Sequence, residues 1–158
     1  MNTGVNVIGT LAMRATTISD MEVGMNVLSG AVVALDGVTI SQSQATGSGI
    51  TLANYSAGTS INLQMVRSQV VNSGFAIYSY GVAGSICNVH VTDSLISNSV
   101  HAGVTTLGTA LAVVSGTTVV NNGIGLDSSN DNIYSLQNNQ VFLNTTNTSG
   151  LVLPIPYK

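Results

Sequence analysis

Few side chains in this sequence can carry acid, base, nucleophilic or metal chemistry: six Asp and Glu, two His and one Cys, beside three Lys and Arg. Glycosidic hydrolysis needs two carboxyl groups flanking the bond, and calcium-assisted elimination needs several acids and a basic residue. Asp127 and Asp131, in LDSSNDN, form the one closely spaced acidic pair toward the C-terminus. They read as a solvated turn, with a weak calcium or catalytic site as the alternative, because no glycine-anchored calcium loop surrounds them. Asp20 and Glu22 lie near an N-terminal turn. His90, between Val89 and Val91, projects outward from a strand, and His101 lies in a turn before Gly103. Neither has Ser and Asp at a readable triad spacing. Cys87 stands alone, which excludes an intrachain disulfide, and it reads as a small buried hydrophobe. No catalytic residue, metal site or cofactor is assigned.

What positions these residues is a repeat. VVNSGFAI (70–77) returns as VVNNGIGL (119–126), and further copies begin as TTISD at 16, VTISQ at 38, SQVVN at 68, SLISN at 94, TTVVN at 117 and NQVFL at 139. Their central apolar residues, Ile18, Ile40, Val70, Ile96, Val119 and Val141, are 22, 30, 26, 23 and 22 residues apart. Five residues before each centre stand Met13, Leu35, Met65, Val91, Val114 and Leu136; seven before stand Leu11, Val33, Leu63, Val89, Ala112 and Tyr134. Two such columns with one residue between them mean a strand with alternate side chains inward. A third strand follows a variable turn, as Val5/Val7, Met25/Val27, Ile50/Leu52, Phe75/Ile77, Val104/Thr106 and Ile124/Leu126. No helix-length stripe competes, and Val, Ile, Thr, Gly and Asn favour strands and turns. The pattern predicts an all-β parallel β-helix of about six coils, roughly 29 Å long at ~4.8 Å per coil.

The register makes further expectations. Asp20, Gln42, Asn72, Asn98, Asn121 and Leu143 occupy one corner, where asparagines turn the chain and form a ladder. Gly74 and Gly123 are expected to supply a backbone conformation that other residues resist. Two inter-coil ion pairs are expected, Arg14–Asp36 and Arg67–Asp93. Tyr55 and Tyr80 fall in matching turns of neighbouring coils with Tyr78 beside them, a candidate ligand-binding cluster whose aromatic faces suit sugar rings. Val71, Leu95, Val120 and Phe142 give one outer face an apolar stripe, and Leu111, Val113 and Ile133 give a second. Exposed apolar patches mark association, so a homo-oligomer or a neighbouring domain is expected. The interrupted Thr column (Thr17, Thr39, Gln69, Leu95, Thr118, Gln140) argues against a regular ice-binding array.

The phrase S-x-V-x-N-N/S-G-I/F-x-L and the ending NIYSLQNNQVFLNTTN resemble secreted bacterial right-handed parallel β-helix repeat proteins of the pectate-lyase-like superfold. The resemblance covers nearly the whole chain. It implies a right-handed solenoid, an extracellular location and carbohydrate as a partner. That superfold hosts lyases, hydrolases, tailspikes and adhesins, so the fold does not choose a function. In its carbohydrate-active members carboxylates cluster outside adjacent coils, which this sequence lacks. The leading expectation is therefore a noncatalytic structural or recognition module. A polysaccharide lyase, a glycoside hydrolase-like enzyme, or a segment of a larger tailspike or adhesin is the alternative.

Composition bounds the partners. The 158 residues suit one domain (1–158), with a short N-terminal end at 1–4 and a cap at 145–158 containing Pro154 and Pro156. Charged residues are 6% of the chain, hydrophobic residues 44% and mean hydropathy +0.41, a profile far from disorder. Three scattered cations cannot displace the counterions of a nucleic acid or hold an anionic membrane surface. No run approaches a membrane span, and MNTGVNVIGTLAMR lacks the basic start and apolar core of a secretory signal.

Overall fold

Short Val-, Ile- and Thr-rich segments, each too brief to stand alone, become strands by stacking on their own sequence repeats. The computed structural model describes residues 2–42, 46–129 and 132–155; Asp131, Pro156 and Lys158 lie outside the described residues. Coil 1 consists of β1 (Thr3–Val7), β2 (Thr10–Arg14) and β3 (Thr17–Ser19), and coil 2 of β4 (Val23–Leu28), β5 (Val32–Asp36) and β6 (Thr39–Ser41). Coil 3 holds β7 (Ser48–Asn54), β8 (Ser60–Val66) and β9 (Gln69–Val71). Coil 4 holds β10 (Phe75–Gly81), β11 (Ile86–Thr92) and β12 (Leu95–Ser97). Coil 5 follows with β13 (Ala102–Gly108), β14 (Ala110–Ser115) and β15 (Thr118–Val120), then coil 6 with β16 (Ile124–Ser128), β17 (Ile133–Leu136) and β18 (Gln140–Phe142). Within the segment 145–158, expected as a cap, the described residues continue the stack through β19 (Thr146–Ser149) and β20 (Val152–Ile155).

Every third strand pairs in parallel, giving two seven-stranded sheets and one six-stranded sheet. The first sheet runs β1-β4-β7-β10-β13-β16-β19, the second β2-β5-β8-β11-β14-β17-β20, and the third from β3 to β18. The molecule is thus a parallel β-solenoid of about six coils with three strands per coil. Among the described residues there is no helix, so none is long and apolar enough to cross a membrane.

The core is a set of vertical columns. In the third sheet Ile18, Ile40, Val70, Ile96 and Val119 are buried in line, and Val141 packs on the end. Opposite them, at the start of the first sheet, stand Gly4, Gly24, Gly49, Ala76, Gly103 and Gly125. These residues are small because the facing column fills the space: a Cβ on Gly103 would lie 2.7 Å from the Gly125 carbonyl oxygen and 3.0 Å from Val119 Cγ1. In the second sheet Val33, Leu63, Val89 and Ala112 form one buried column and Leu35, Met65, Val91 and Val114 the next, as the spacing expects. Cys87 is buried between Ile61 and Ala110. Burial pushes its thiol up to about 12.

Three local registers differ from the sequence expectation. Ile133, expected on an outer stripe, is fully buried and pairs with Ala112, while Tyr134 takes the outward place beside Val113. From Ile133 to Val141 there are eight steps instead of the seven from Ala112 to Val119, and the extra residue is absorbed by the turn that follows Leu136. Leu136 and Tyr134 accordingly leave the inward columns. In the first sheet, Phe75 pairs with Ser48 and Ala102, and Ile124 with Ala102, so both sit one pleat earlier than expected. The inward pairs there are Ile77/Ser79 and Leu126/Ser128. Ser79, Thr106 and Ser128 continue a column begun by Val7, Val27 and Leu52; Val104 and Thr106 of coil 5 are inward as expected, while in coils 4 and 6 hydrophobicity points to Phe75 and Ile124 in place of Ser79 and Ser128.

The corner between third and first sheets is held by left-handed residues: Asp20, Asn72, Asn98, Asn121 and Leu143 have φ of 53–61°. Asparagine tolerates this region better than most residues. These asparagines are exposed, and only the Asn98 amide donates up the rod, to Asn72 Oδ1 at 3.3 Å. The buried ladder lies one residue later. Asn122 Oδ1 accepts from the Ser99 N–H at 2.9 Å, and Asn144 Oδ1 accepts from the Asn122 N–H at 2.9 Å. Gly74 and Gly123 do not adopt positive φ. Gly123 is instead required by close approach, since a Cβ there would collide with the Val100 and His101 carbonyl oxygens.

A second ladder occupies the corner between second and third sheets. The amides of Val38, Ser68, Ser94 and Thr117 donate to the side-chain oxygens of Ser68, Ser94, Thr117 and Asn139, each one coil further on, at 3.0, 3.2, 3.4 and 2.9 Å. At the same corner Arg14 approaches Asp36 at 3.9 Å, as expected. Arg67 differs: its guanidinium bonds Asp36 of the preceding coil at 2.6 Å rather than Asp93 of the following one. Asp36 is already partly covered and gathers both cations, whereas Asp93 is exposed at a left-handed corner.

Candidate functional site

The outer face of the first sheet presents three rows. One reads Thr3, Val23, Ser48, Phe75, Ala102, Ile124 and Thr146; the next Asn6, Asn26, Thr51, Tyr78, Thr105, Asp127 and Ser149; the third includes Leu28, Ala53, Tyr80 and Leu107. Coil 4 is the exception among these short side chains. Phe75, Tyr78 and Tyr80 all project from β10, making an aromatic ridge across the sheet with smaller residues on both sides.

Tyr80 lies opposite Ala53, not Tyr55, because its strand is shifted by one pleat. Tyr55, just beyond the end of β7, still reaches it, with ring centroids 5.6 Å apart. Tyr78 meets Phe75 edge-on at 5.4 Å, and Phe75 also packs against His101 at 4.9 Å. The structure therefore brings Tyr55, Tyr78 and Tyr80 to one face and adds Phe75 and His101. Sequence periodicity hides Phe75 by placing it inward with Ile50 and Val104; the polar Thr106 in the neighbouring inward column is the signal that this sheet's interior is not wholly apolar. Burial first, and the neighbouring Tyr55 and Tyr80 second, raise the Tyr78 phenol above its ordinary range. It stays a neutral hydrogen-bond donor on an aromatic face.

On the N-terminal side of this ridge runs a groove of about 500 Å³ bordered by Thr3, Glu22, Val23, Asn26, Thr46, Ser48, Thr51, Phe75 and Tyr78. Its size falls in the ordinary range for small-ligand sites. Asn26 is oriented by donating to Asn6 Oδ1 at 3.1 Å. Asp127 lies on the same face four coils beyond Asn26, roughly 19 Å along the rod at ~4.8 Å per coil. Among the described residues no three His, Cys, Asp or Glu side chains cluster as a metal site would require. Asp131 lies outside the described residues.

The apolar stripes are also located. On the third sheet's exterior, Val71, Leu95 and Val120 are half-buried and Phe142 is exposed. On the second sheet's exterior Leu111 and Val113 remain outward and Tyr134 and Leu153 extend them, with Ile133 removed to the core.

Set against protein-family models, curated proteins and solved structures, the chain matches none. The class defined by fold and face is a parallel β-solenoid with an aromatic ridge on one sheet.

Proposed function

We propose that this protein is a noncatalytic recognition module that contacts carbohydrate through the outer face of its first sheet. The observation that carries the reading is the ridge of Phe75, Tyr78 and Tyr80, extended by Tyr55, on a face otherwise built from short side chains. A pyranose offers C–H groups on one face and hydroxyls at its edge, which suits aromatic rings beside Asn and Thr. The carboxylates support recognition over cleavage. Asp36 is occupied by two arginines. Glu22 borders the groove near Asn26, four coils from Asp127, well beyond the ~5–9.5 Å spacing of paired glycosidase carboxylates.

Binding to immobilised glycans is expected, with loss on simultaneous Tyr55→Ala, Tyr78→Ala and Tyr80→Ala. Binding that survives the triple variant removes the tyrosines as the platform. Cleavage of a polysaccharide panel by purified protein would remove the noncatalytic reading. The stripes Val71, Leu95, Val120, Phe142 and Leu111, Val113, Tyr134, Leu153 support self-association or a neighbouring domain as a second element of this reading. A monomeric mass across a concentration series in light scattering would argue against self-association.

A further inference from the structure

Asn122–Gly123 is the one Asn-Gly step in the sequence, and asparagine is among the chemically labile residues. A following glycine makes asparagine most reactive, because without a Cβ its amide nitrogen reaches the preceding side chain unhindered. We propose that Asn122 is a self-modification site: it deamidates in the unfolded chain, is protected by the fold, and on conversion weakens the fold that protected it. This chemistry is independent of any carbohydrate bound to the first sheet.

The reaction needs only water. The Gly123 nitrogen gives its proton to solvent and bonds to Asn122 Cγ, and Nδ2 leaves as ammonia, closing a five-membered succinimide. Water then opens the ring at either carbonyl. Opening at Cγ gives aspartate; opening at the main-chain carbonyl gives isoaspartate, in which the chain runs through Cβ and Cγ. Nothing is oxidised or reduced.

The fold blocks the first step at both reacting atoms. The Gly123 N–H donates to the Ser99 carbonyl at 2.9 Å, so the nucleophile keeps its proton and points at the preceding coil. The electrophile is clamped: Asn122 Oδ1 accepts the Ser99 N–H, and Nδ2 donates to Asn144 Oδ1 and to the Val120 and Ile96 carbonyls. The rest of the dipeptide is held as well. Asn144 Oδ1 accepts the Asn122 N–H at 2.9 Å, and the Asn122 and Gly123 carbonyls accept the amides of Thr145 and Thr146 at 3.0 and 2.9 Å. With Asn122 buried, reaction waits for this corner to open, and core segments open only near the cost of global unfolding.

The product fits the corner badly. Aspartate at 122 keeps an acceptor for Ser99, but a carboxylate oxygen replaces the donor Nδ2 and faces three acceptors, Asn144 Oδ1 and the Val120 and Ile96 carbonyls. A buried charge so placed opposes folding. Isoaspartate adds a main-chain atom where Gly123 already lies too close to the Val100 and His101 carbonyls for a Cβ. A chain that dwells unfolded is thus altered chemically before it returns, and it returns to a fold that opens more readily. Gly123, demanded by close packing inside the fold, is what makes Asn122 labile outside it.

Peptide mass spectrometry on the full chain tests this, with samples held at one mildly alkaline pH in buffer or in urea above the unfolding midpoint. In urea Asn122 is expected to gain about one dalton before any other asparagine; in buffer its conversion should be at least about a hundredfold slower, because it scales with the open fraction. Isomerisation at Asp36–Gly37, the comparable Asp-Gly step, leaves the mass unchanged and does not interfere. A protease pulse at the parent's urea midpoint then destroys unfolded chains, and the survivors should be at least about tenfold poorer in converted chains than the starting mixture. Asn122→Asp supplies one product directly and is expected to lower the urea midpoint. Equal conversion in buffer and urea overturns the protection, and another asparagine reacting first in urea overturns the site. Survivors as rich in converted chains as the mixture, or an Asn122→Asp midpoint equal to the parent's, overturn the weakening.

Discussion

Replacing Asn122 by alanine tests whether the buried ladder holds adjacent coils together. Asn122 is 3% exposed. Its Oδ1 accepts the Ser99 N–H at 2.9 Å, and its Nδ2 donates to Asn144 Oδ1 at 2.9 Å, the Val120 carbonyl at 3.1 Å and the Ile96 carbonyl at 3.4 Å. Alanine leaves the buried Ser99 N–H without an acceptor, at about 1–3 kcal/mol. Loss of the donated bonds adds about 1 kcal/mol, since Val120 O still accepts from the Asn98 N–H. The expected loss is about 3 kcal/mol, a large share of a typical domain's ~5–15 kcal/mol. Asn121→Gly, one residue away, is the control: Asn121 is exposed at φ 58°, a conformation glycine adopts freely. It is expected to change stability by less than about 0.5 kcal/mol. Urea unfolding at constant m-value gives both numbers, and amide hydrogen exchange should show Ser99 losing protection in Asn122→Ala. An Asn122→Ala protein within about 0.5 kcal/mol of the parent, or an Asn121→Gly protein equally damaged, would refute the placement of the ladder.

Thr106 Oγ1 is buried without a hydrogen-bond partner, so Thr106→Val should raise stability in urea unfolding by about 1 kcal/mol; a loss would mean that the hydroxyl is satisfied. Gly103→Ala should cost about 1–3 kcal/mol by overpacking against Gly125 O and Val119; an unchanged urea midpoint would contradict the close packing there. Cys87 keeps its proton in the fold up to about 12, against 9.0 ordinarily. Above pH 9 the unfolded chain therefore loses a proton that the folded chain retains, and stability should fall by up to ~1.4 kcal/mol per pH unit until about 12. Urea midpoints measured from pH 8 to 11 should fall more steeply for the parent than for Cys87→Ala, and parallel slopes would contradict a buried thiol.

The second and third sheets were legible because their inward columns are apolar and separated by nearly constant distances. Ile40, Val70, Ile96 and Val119 could be aligned by eye, and Leu35, Met65, Val91 and Val114 followed from them. The first sheet was less legible for two physical reasons. Its preceding turns vary in length, and its inward column changes from Leu52 to Ser79, Thr106 and Ser128, whose polar groups are buried. An apolar count therefore promoted Phe75 and Ile124 into the core. Ile133 misled in the opposite sense, because one added residue after Leu136 shifts its parity. The candidate site is half legible: spacing brings the three tyrosines together, but apolar periodicity places Phe75 in the interior. The groove depends on side chains from four coils whose register had to be known first. The ladder between second and third sheets is not legible, although its side chains Ser68, Ser94, Thr117 and Asn139 open four of the repeats, because residue type alone does not say which hydroxyl meets which amide.

Those rungs all point the same way. Val38, Ser68, Ser94, Thr117, Ser99 and Asn122 each offer a main-chain N–H to a side-chain oxygen in the coil that follows. At these side-chain rungs, peeling away the later coil bares a main-chain donor and peeling away the earlier one frees a side-chain acceptor, while the main-chain bonds beside them, such as Leu95 N–H to Ser68 O and Thr118 N–H to Ser94 O, run the opposite way. Buried donors are left unmatched less readily than carbonyl-type acceptors. The side-chain rungs thus give the rod a direction that its main-chain ladder lacks: each fastens a coil to its successor through a donor on the N-terminal side. Unravelling from the C-terminal end bares one such donor at each boundary from coil 6 back to coil 2.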